Sequence, residues 1–390
     1  MSEAATADRI PLARPDLGPK EEAEVLSVLR SGRLSLGPKV EELEKELAAF
    51  TDFPWAVAVS SGTAGLHLAV RALGLGPDEC VITSSFSFIA SANCIRYESA
   101  EPVFVDIDPE TLCLSPESLA KYLASCNEES GSLLDPESGR RVAGVMSVDA
   151  FGHPADLASI SSLVRPRGLW IVSDSCEALG SRTVDGDHAG ARADLAVVGF
   201  YPNKQITTGE GGAVLGRDPA LRDRIATLRN QGRRPGDPWL HQDVVGFNFR
   251  MDELSAAVGV AQLRRIDDIL SRRASVAQWY GEALAELRGL ELPAAAGWAR
   301  PAWFVYGVRV NSRETRAAVV AYLNNHGVES KAYFEPPIHE QPPYRGPRYD
   351  LPTTEDAARR TLILPFFSQM TREQVTRVAE LLAAGLQIVR

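Results

Sequence analysis

Six short apolar runs, separated by stretches of helical spacing, constrain this chain more than any other feature. They are "WAVAVS" (55–60), "CVITSS" (80–85), "EPVFVDID" (101–108), "VAGVMSVDAF" (142–151), "LWIVSDS" (169–175) and "ADLAVVGF" (193–200). Continuous apolar runs of this length, rich in β-branched residues, suit strands buried on both faces. "KVEELEKELAAF" before the first run, and "LHLAVRALGL", "FIASANCIRY" and "DLASISSLVR" between later ones, carry helical periodicity. Buried strands alternating with helices predict an α/β unit with a mostly parallel sheet. The polar stretch "SCNEESGSLLDPESGRR" reads as a surface excursion before the next strand.

From about Asp252 the pattern changes. "DELSAAVGVAQLRRIDDILSRRASVAQWYGEALAEL" reads as one long or two abutting helices, "WFVYGVRV" as a strand, and "RETRAAVVAYLNNHG" as a helix closed by glycine. The 390 residues suffice for two cores. The expected division is a large α/β unit over 1–247 and a smaller C-terminal α+β unit over 248–390.

Charge removes several function classes. The chain carries 41 basic and 51 acidic residues, a formal charge of −10. No basic surplus or stripe marks a nucleic-acid binder. No apolar run is long enough to cross a bilayer, and the first residues lack the apolar core of a signal peptide, so the cytoplasm is the expected compartment. Five dispersed cysteines and six dispersed histidines, with no CxxC pair, suit reduced thiols and show no metal constellation.

Three local features gain meaning together. In "VSSGTAGL" a strand meets Ser-Gly-Thr and a helix begins, so Gly62 and Thr63 offer free N–H groups to an anion. The same residues would also serve as a plain N-cap. Asp174 closes the apolar run "LWIVSDS", at the strand end where open α/β sheets bind ligands. Lys204 follows "ADLAVVGF" and precedes the glycine-dense "TTGEGG". A phosphate cradle, a strand-end aspartate and a strand-end lysine meet the needs of pyridoxal 5'-phosphate. Lysine forms a Schiff base with the aldehyde, and the aspartate keeps the pyridine nitrogen protonated. A P-loop is excluded, since GxxxxGK[ST] does not occur.

The ordered set "SGRLSLGPKVEELEKELA", "SSGTAGLHLAVRALGLG", "FGHPADL", "DSCEALGS", "FYPNKQITTGEGG", "GFNFRMDELSAAVGVAQL" and "PIHEQPPY" resembles the DegT-family nucleotide-sugar aminotransferases, which have the aspartate aminotransferase-like fold type I. The resemblance covers nearly the whole chain. It implies that Lys204 carries the cofactor and shuttles protons, that Asp174 pairs with the ring nitrogen, and that Gly62 and Thr63 bind the phosphate. It implies stacking of Phe88 on the ring, donation of Asn248 from a partner subunit of a homodimer with composite sites, and a place for Arg250 beside the shared site. His339 and Tyr344 fall in the segment that borders the sugar nucleotide in relatives. The implied reaction takes an amino group from an amino acid, glutamate by expectation. It stores that group as pyridoxamine 5'-phosphate and passes it to a nucleotide-linked keto sugar.

Two positions depart from the pattern. Gly199 stands where many relatives have a phosphate-binding serine, and Glu177 where many have glutamine beside the ring oxygen. A carboxylate there is repelled by the phenolate unless one of them carries a proton. Some relatives that aminate C4 also have glutamate here, which favours a 4-keto-6-deoxyhexose, in amino-sugar, surface-polysaccharide or antibiotic biosynthesis. Alternatives are an aminotransferase for a cyclitol or another cyclic ketone, and a sugar dehydratase. The dehydratases carry histidine in place of the lysine, so Lys204 argues against them. The intact Lys204 and Asp174 argue equally against a non-catalytic binding protein.

Overall fold

The computed structural model describes residues 9–345 and 349–388. Each of the six apolar runs forms a strand, and a seventh joins them: β1 (Trp55–Val59), β2 (Glu79–Ser84), β3 (Glu101–Val105), β4 (Arg141–Val148), β5 (Trp170–Asp174), β6 (Leu195–Gly199) and β7 (Gly212–Gly216). Across the sheet they lie in the order β1-β7-β6-β5-β4-β2-β3. The pairs from β6 through β3 are parallel, and β7 runs antiparallel to both β6 and β1. β1, β2, β5, β6 and β7 are buried along almost their whole length, as continuous apolar runs require.

Helices cover both faces. α1 (Pro19–Ser31), α2 (Pro38–Thr51) and α8 (Glu253–Leu263) lie together. Leu43 and Leu47 of α2 and Val260 of α8 form one core with Val198 and Ala213 of the sheet. α3 (Gly62–Ala72), α4 (Ala90–Tyr97) and α7 (Pro219–Arg229) build the opposite core with Val57, Val172 and Val197. α5 (Pro116–Ser125) and α6 (Leu157–Val164) close a third over β2, β4 and β5. The polar excursion is more ordered than its composition suggests. Asn127–Glu129 and Ser132–Leu134 pair as a hairpin, and Leu134 bridges to Arg141. The polar side chains of Asn127–Glu129 stay outside while the two strands satisfy each other's backbone.

A second, antiparallel sheet holds β8 (Leu290–Glu291), β9 (Tyr306–Val310), β10 (Lys331–Ala332) and β11 (Thr361–Leu364), in the order β8-β9-β11-β10. α10 (Arg313–Asn325), α11 (Pro352–Arg360) and α12 (Arg372–Ile388) flank it. The long helical stretch after Asp252 is two helices, α8 and α9 (Ile266–Leu284). α9 serves both cores: Ile266 and Ile269 pack with α2 and α8, while Val276, Ala277, Tyr280 and Leu284 pack with the second sheet. Among the described residues no helix is long and apolar enough to cross a membrane.

Tyr280 is fully buried, stacks on Tyr306 at 4.8 Å between ring centres, and donates to the carbonyl of Pro365 at 2.8 Å. Tyr280→Phe keeps the packing but leaves that carbonyl short of a donor. We expect it to lose about 1 kcal/mol of stability in urea unfolding. An unchanged midpoint would show that another donor replaces the hydroxyl.

Candidate active site

The ends of β5, β6 and β1 converge on one place. β6 and β7 are paired at Gly199 and Gly212, so residues 200–211 are an excursion whose two ends are pinned together. Lys204 lies on this excursion. Its amide donates to the carbonyl of Tyr201 at 2.9 Å, closing a tight turn. The two threonines that follow brace the return. The Thr207 hydroxyl and the Thr208 amide both donate to the carbonyl of Phe200, at 2.9 and 3.0 Å. The Thr208 hydroxyl donates to the carbonyl of Glu210 at 2.6 Å. Gly209 takes φ +83°, a conformation that an L side chain resists.

The amine of Lys204 lies 3.5 Å from Oε1 of Glu177 and 4.0 Å from the centre of the Phe304 ring. Oε2 of Glu177 accepts the backbone N–H of Phe151 at 2.9 Å. Burial raises the Glu177 carboxyl above its ordinary range; the nearby lysine and the Phe151 amide oppose that rise, and Asp174 adds to it. Phe304 comes from the start of the second sheet. Its carbonyl and that of Trp303 accept from the guanidinium of Arg273 on α9, at 2.7 and 2.9 Å. Burial lowers Arg273 to about 10.

Asp174 is 6% exposed at the end of β5. Its Oδ2 accepts the Ser91 hydroxyl at 2.7 Å and its Oδ1 the Cys176 amide at 3.2 Å. Among the described residues no cation pairs with it. A buried carboxylate with only neutral partners is costly, and it suits a cationic ring N–H. Ser91 also reaches Phe88: the hydroxyls of Ser87 and Ser91 approach the Phe88 carbonyl at 3.2 and 3.4 Å. The Phe88 ring is 64% exposed, whereas Phe86, two residues earlier, is fully buried against Phe151 and Phe334.

The turn from β1 into α3 supplies the third part. Ser61 caps the helix by accepting from the Ala64 amide at 3.1 Å. The amides of Gly62 and Thr63 make no hydrogen bond within the described chain. Both readings of this turn therefore coexist: Ser61 is the cap, and two N–H groups remain for an anion. The backbones here are crowded. A Cβ on Gly62 would lie 2.9 Å from Sγ of Cys176, and one on Gly212 would lie 2.8 Å from N of Gly62. Cys176 also fills the space beside Gly199, 3.3 Å from where a Cβ would stand. The position without the serine hydroxyl is thus closed by a thiol, which burial and then Asp174 push well above its usual range.

The remaining residues sit as follows. The carbonyl of Phe249 accepts the Ser60 amide at 2.9 Å, which brings the segment holding Asn248 and Arg250 against the α3 turn of its own chain. Asn248 bridges to Asn230, and Arg250 donates to the side chains of Asn230 and Gln231 at 3.0 and 3.3 Å. His339 meets the Ser85 hydroxyl at 2.7 Å, and Tyr344 donates to Asn93 at 2.5 Å. These two contacts clasp "PIHEQPPY" to the loop and helix that carry Phe88 and Ser91. Ser91, Phe151 and Phe304 were not identified from sequence. Ser91 lies in the same short motif as Phe88 and could have been found there, but Phe304 lies a hundred positions beyond Lys204 with no local signal.

The donor set fits pyridoxal phosphate: an amine, a carboxylate lacking a cation, and free helix N-terminal amides. Comparison with protein families matches residues 15–383 to the DegT/DnrJ/EryC1/StrS aminotransferase family. The chain is 34% identical over 389 residues to a dTDP-3-amino-3,4,6-trideoxy-alpha-D-glucose transaminase of Streptomyces venezuelae, covering 97% of each. It is 32% identical over 372 residues to a GDP-perosamine synthase of Escherichia coli O157:H7, covering 95% of this chain and 97% of the other. The solved structure of the aminotransferase TlmJ from Streptoalloteichus hindustanus superposes with a TM-score of 0.89 at 31% identity, covering 98% of this chain and all of that one.

Glu177 takes a proton more readily in the folded chain than in the unfolded one. Stability should therefore fall as pH rises from the ordinary glutamate range through the raised folded value. Lys204→Met removes the cation that opposes the rise, so the decline should extend to higher pH. Urea unfolding of the cofactor-free proteins across about pH 5 to 9 measures this. Superimposable profiles would show that Glu177 does not sense Lys204.

Proposed function

The chain belongs to the DegT/DnrJ/EryC1/StrS aminotransferase family and is a pyridoxal-phosphate-dependent transaminase; from that premise we propose that it moves an amino group from glutamate to a nucleotide-linked keto sugar, a 4-keto-6-deoxyhexose by preference. The contact of Lys204 with Glu177, beside a buried Asp174 that lacks a cation, carries the reading. Relatives named for amino-sugar products support the substrate class. The name of one specifies a 3-amino sugar, so the carbon is decided by experiment.

When bound, the cofactor supplies an aldehyde that takes up the amino group and a ring that withdraws electrons from the neighbouring carbon. Lys204 would hold the cofactor, and its free amine would move a proton at the substrate carbon. Asp174 keeps the ring nitrogen protonated, and Ser91 fixes its carboxylate. Gly62 and Thr63 hold the phosphate through the free amides of α3, with Cys176 packed beneath. Burial shifts Glu177 toward its protonated form, and a protonated carboxyl there would donate to the ring oxygen instead of repelling it. Phe88 offers an uncovered ring for stacking. Arg250, His339 and Tyr344 border the substrate.

The working unit in this reading is a dimer, with Asn248 given to the neighbouring site. The apolar side chains of Trp239, Leu240 and Val245, 72–83% exposed just before Asn248, support a protein partner there. Mixing Lys204→Ala chains with Asn248→Ala chains tests it. A hybrid would hold one doubly damaged site and one intact site, so activity should return on subunit exchange. No recovery after demonstrated exchange would place Asn248 beside its own Lys204.

Glutamate alone should convert the bound cofactor to pyridoxamine phosphate and release 2-oxoglutarate, with borohydride trapping of the original form on Lys204. A 4-keto sugar nucleotide should then restore the first spectrum in ping-pong fashion. Restoration only by a 3-keto sugar or by a cyclitol ketone would correct the acceptor and leave the mechanism standing. Dehydration of the sugar without any response to amino donors would overturn the transaminase assignment.

A further inference from the structure

One carboxylate beside this site has no part in the mechanism above. Asp149 follows β4 directly and is fully buried. Its Oδ2 accepts the hydroxyls of Ser175 at 2.6 Å and Ser173 at 3.1 Å, and its Oδ1 accepts the Ala155 amide at 2.8 Å. Its own amide donates to the carbonyl of Asp174 at 3.1 Å, and β4 pairs Val148 with Asp174. Alternate side chains of a strand point to opposite faces. Ser173 and Ser175 therefore turn away from Asp174, toward Asp149, while Asp174 turns to Ser91 and the Cys176 amide. The two neighbours of Asp174 and its carbonyl all end on one residue.

We propose that Asp149 is a positioning residue for Asp174: it clamps the end of β5 from behind, and its negative charge strengthens the hold of Asp174 on the ring-nitrogen proton. The proposal rests on the assignment of Asp174 to that nitrogen. Among the described residues no cation neutralises Asp149, and its hydrogen-bond partners are all neutral. Burial first, opposed by the two serines and the Ala155 amide and reinforced by Asp174, raises its carboxyl to about 7. The other titratable groups that interact with it are Asp174 on β5 and Cys113 after β3. Burial keeps Cys113 a thiol through the same range. Asp149 is thus the group behind Asp174 that gains its charge near neutral pH, and a negative charge there makes a neighbouring proton harder to remove.

Asp149→Asn keeps the size and removes the charge, Asp149→Ala removes the clamp as well, and Ser175→Ala removes one arm of it. The holoenzymes are titrated by the pH dependence of the bound cofactor's visible band, cofactor affinity is measured on the stripped proteins, and kcat and KM are determined separately. Asp149→Asn should move the spectroscopic midpoint to lower pH and reduce kcat roughly 10-fold with KM little changed, and Asp149→Ala should weaken cofactor binding roughly 10- to 100-fold. If Asp149→Ala does not fold, Asp149→Asn and Ser175→Ala carry the test. A wild-type midpoint and kcat in Asp149→Asn would overturn the proposal and leave Asp149 as packing. Asp174→Asn, run in parallel, separates the two assignments. If it too leaves band and rate unchanged, the assignment of Asp174 itself has failed.

Discussion

The pairing of Gly199 with Gly212 is the constraint on which the site depends. It pins the two ends of a twelve-residue excursion (200–211), so a lysine in the middle has a fixed place despite standing on a loop. The antiparallel return of β7 also brings Gly212 against the first residue of α3, and Cys176 closes the space between Gly62 and Gly199. One strand pairing therefore holds the amine, the anion-binding amides and the strand-end carboxylate in mutual register. Larger side chains at these backbone contacts would push the three parts apart before any chemistry was lost.

Much of this was legible in the sequence because its determinants are local. β-branched apolar runs become strands wherever both faces are covered, and Asp174 and Lys204 stand at or just past the ends of two such runs. Ser-Gly-Thr before a helical pattern announces a helix N-terminus. The hidden part is long-range. Phe304 reaches Lys204 only because α9 and Arg273 bring the start of the second sheet beneath it. Asp149 shows its role only when β4 lies beside β5, since the serines it grips look like ordinary strand residues. The hairpin at 127–134 was missed for the opposite reason. Its first strand, Asn127–Glu129, is wholly polar, and only pairing with Ser132–Leu134, itself bridged to Arg141, makes it a strand. The division read at residues 247 and 248 remains a proposal, set against a helix, α9, that packs into both cores.

The electrostatic layout is lopsided. Asp149, Asp174 and Glu177 lie behind and around a single lysine, and two of the three are raised by burial. Such a cluster is unfavourable for the isolated chain and favourable for a bound cation, so stability has been exchanged for affinity at the point where the ring and amine must be held. The Gly199 and Glu177 departures fit this layout. Cys176 lies beside Gly62 and Gly199, while Glu177 adds a carboxyl beside Lys204.

Arg273 gives α9 a mechanical meaning. Its guanidinium grips the carbonyls of Trp303 and Phe304, and the Phe304 ring lies against the amine of Lys204. The helix that packs into both cores thus holds, from near its middle, the ring that faces the Lys204 amine. Any shift of that helix against the first sheet would therefore reach the Lys204 amine through a single aromatic ring.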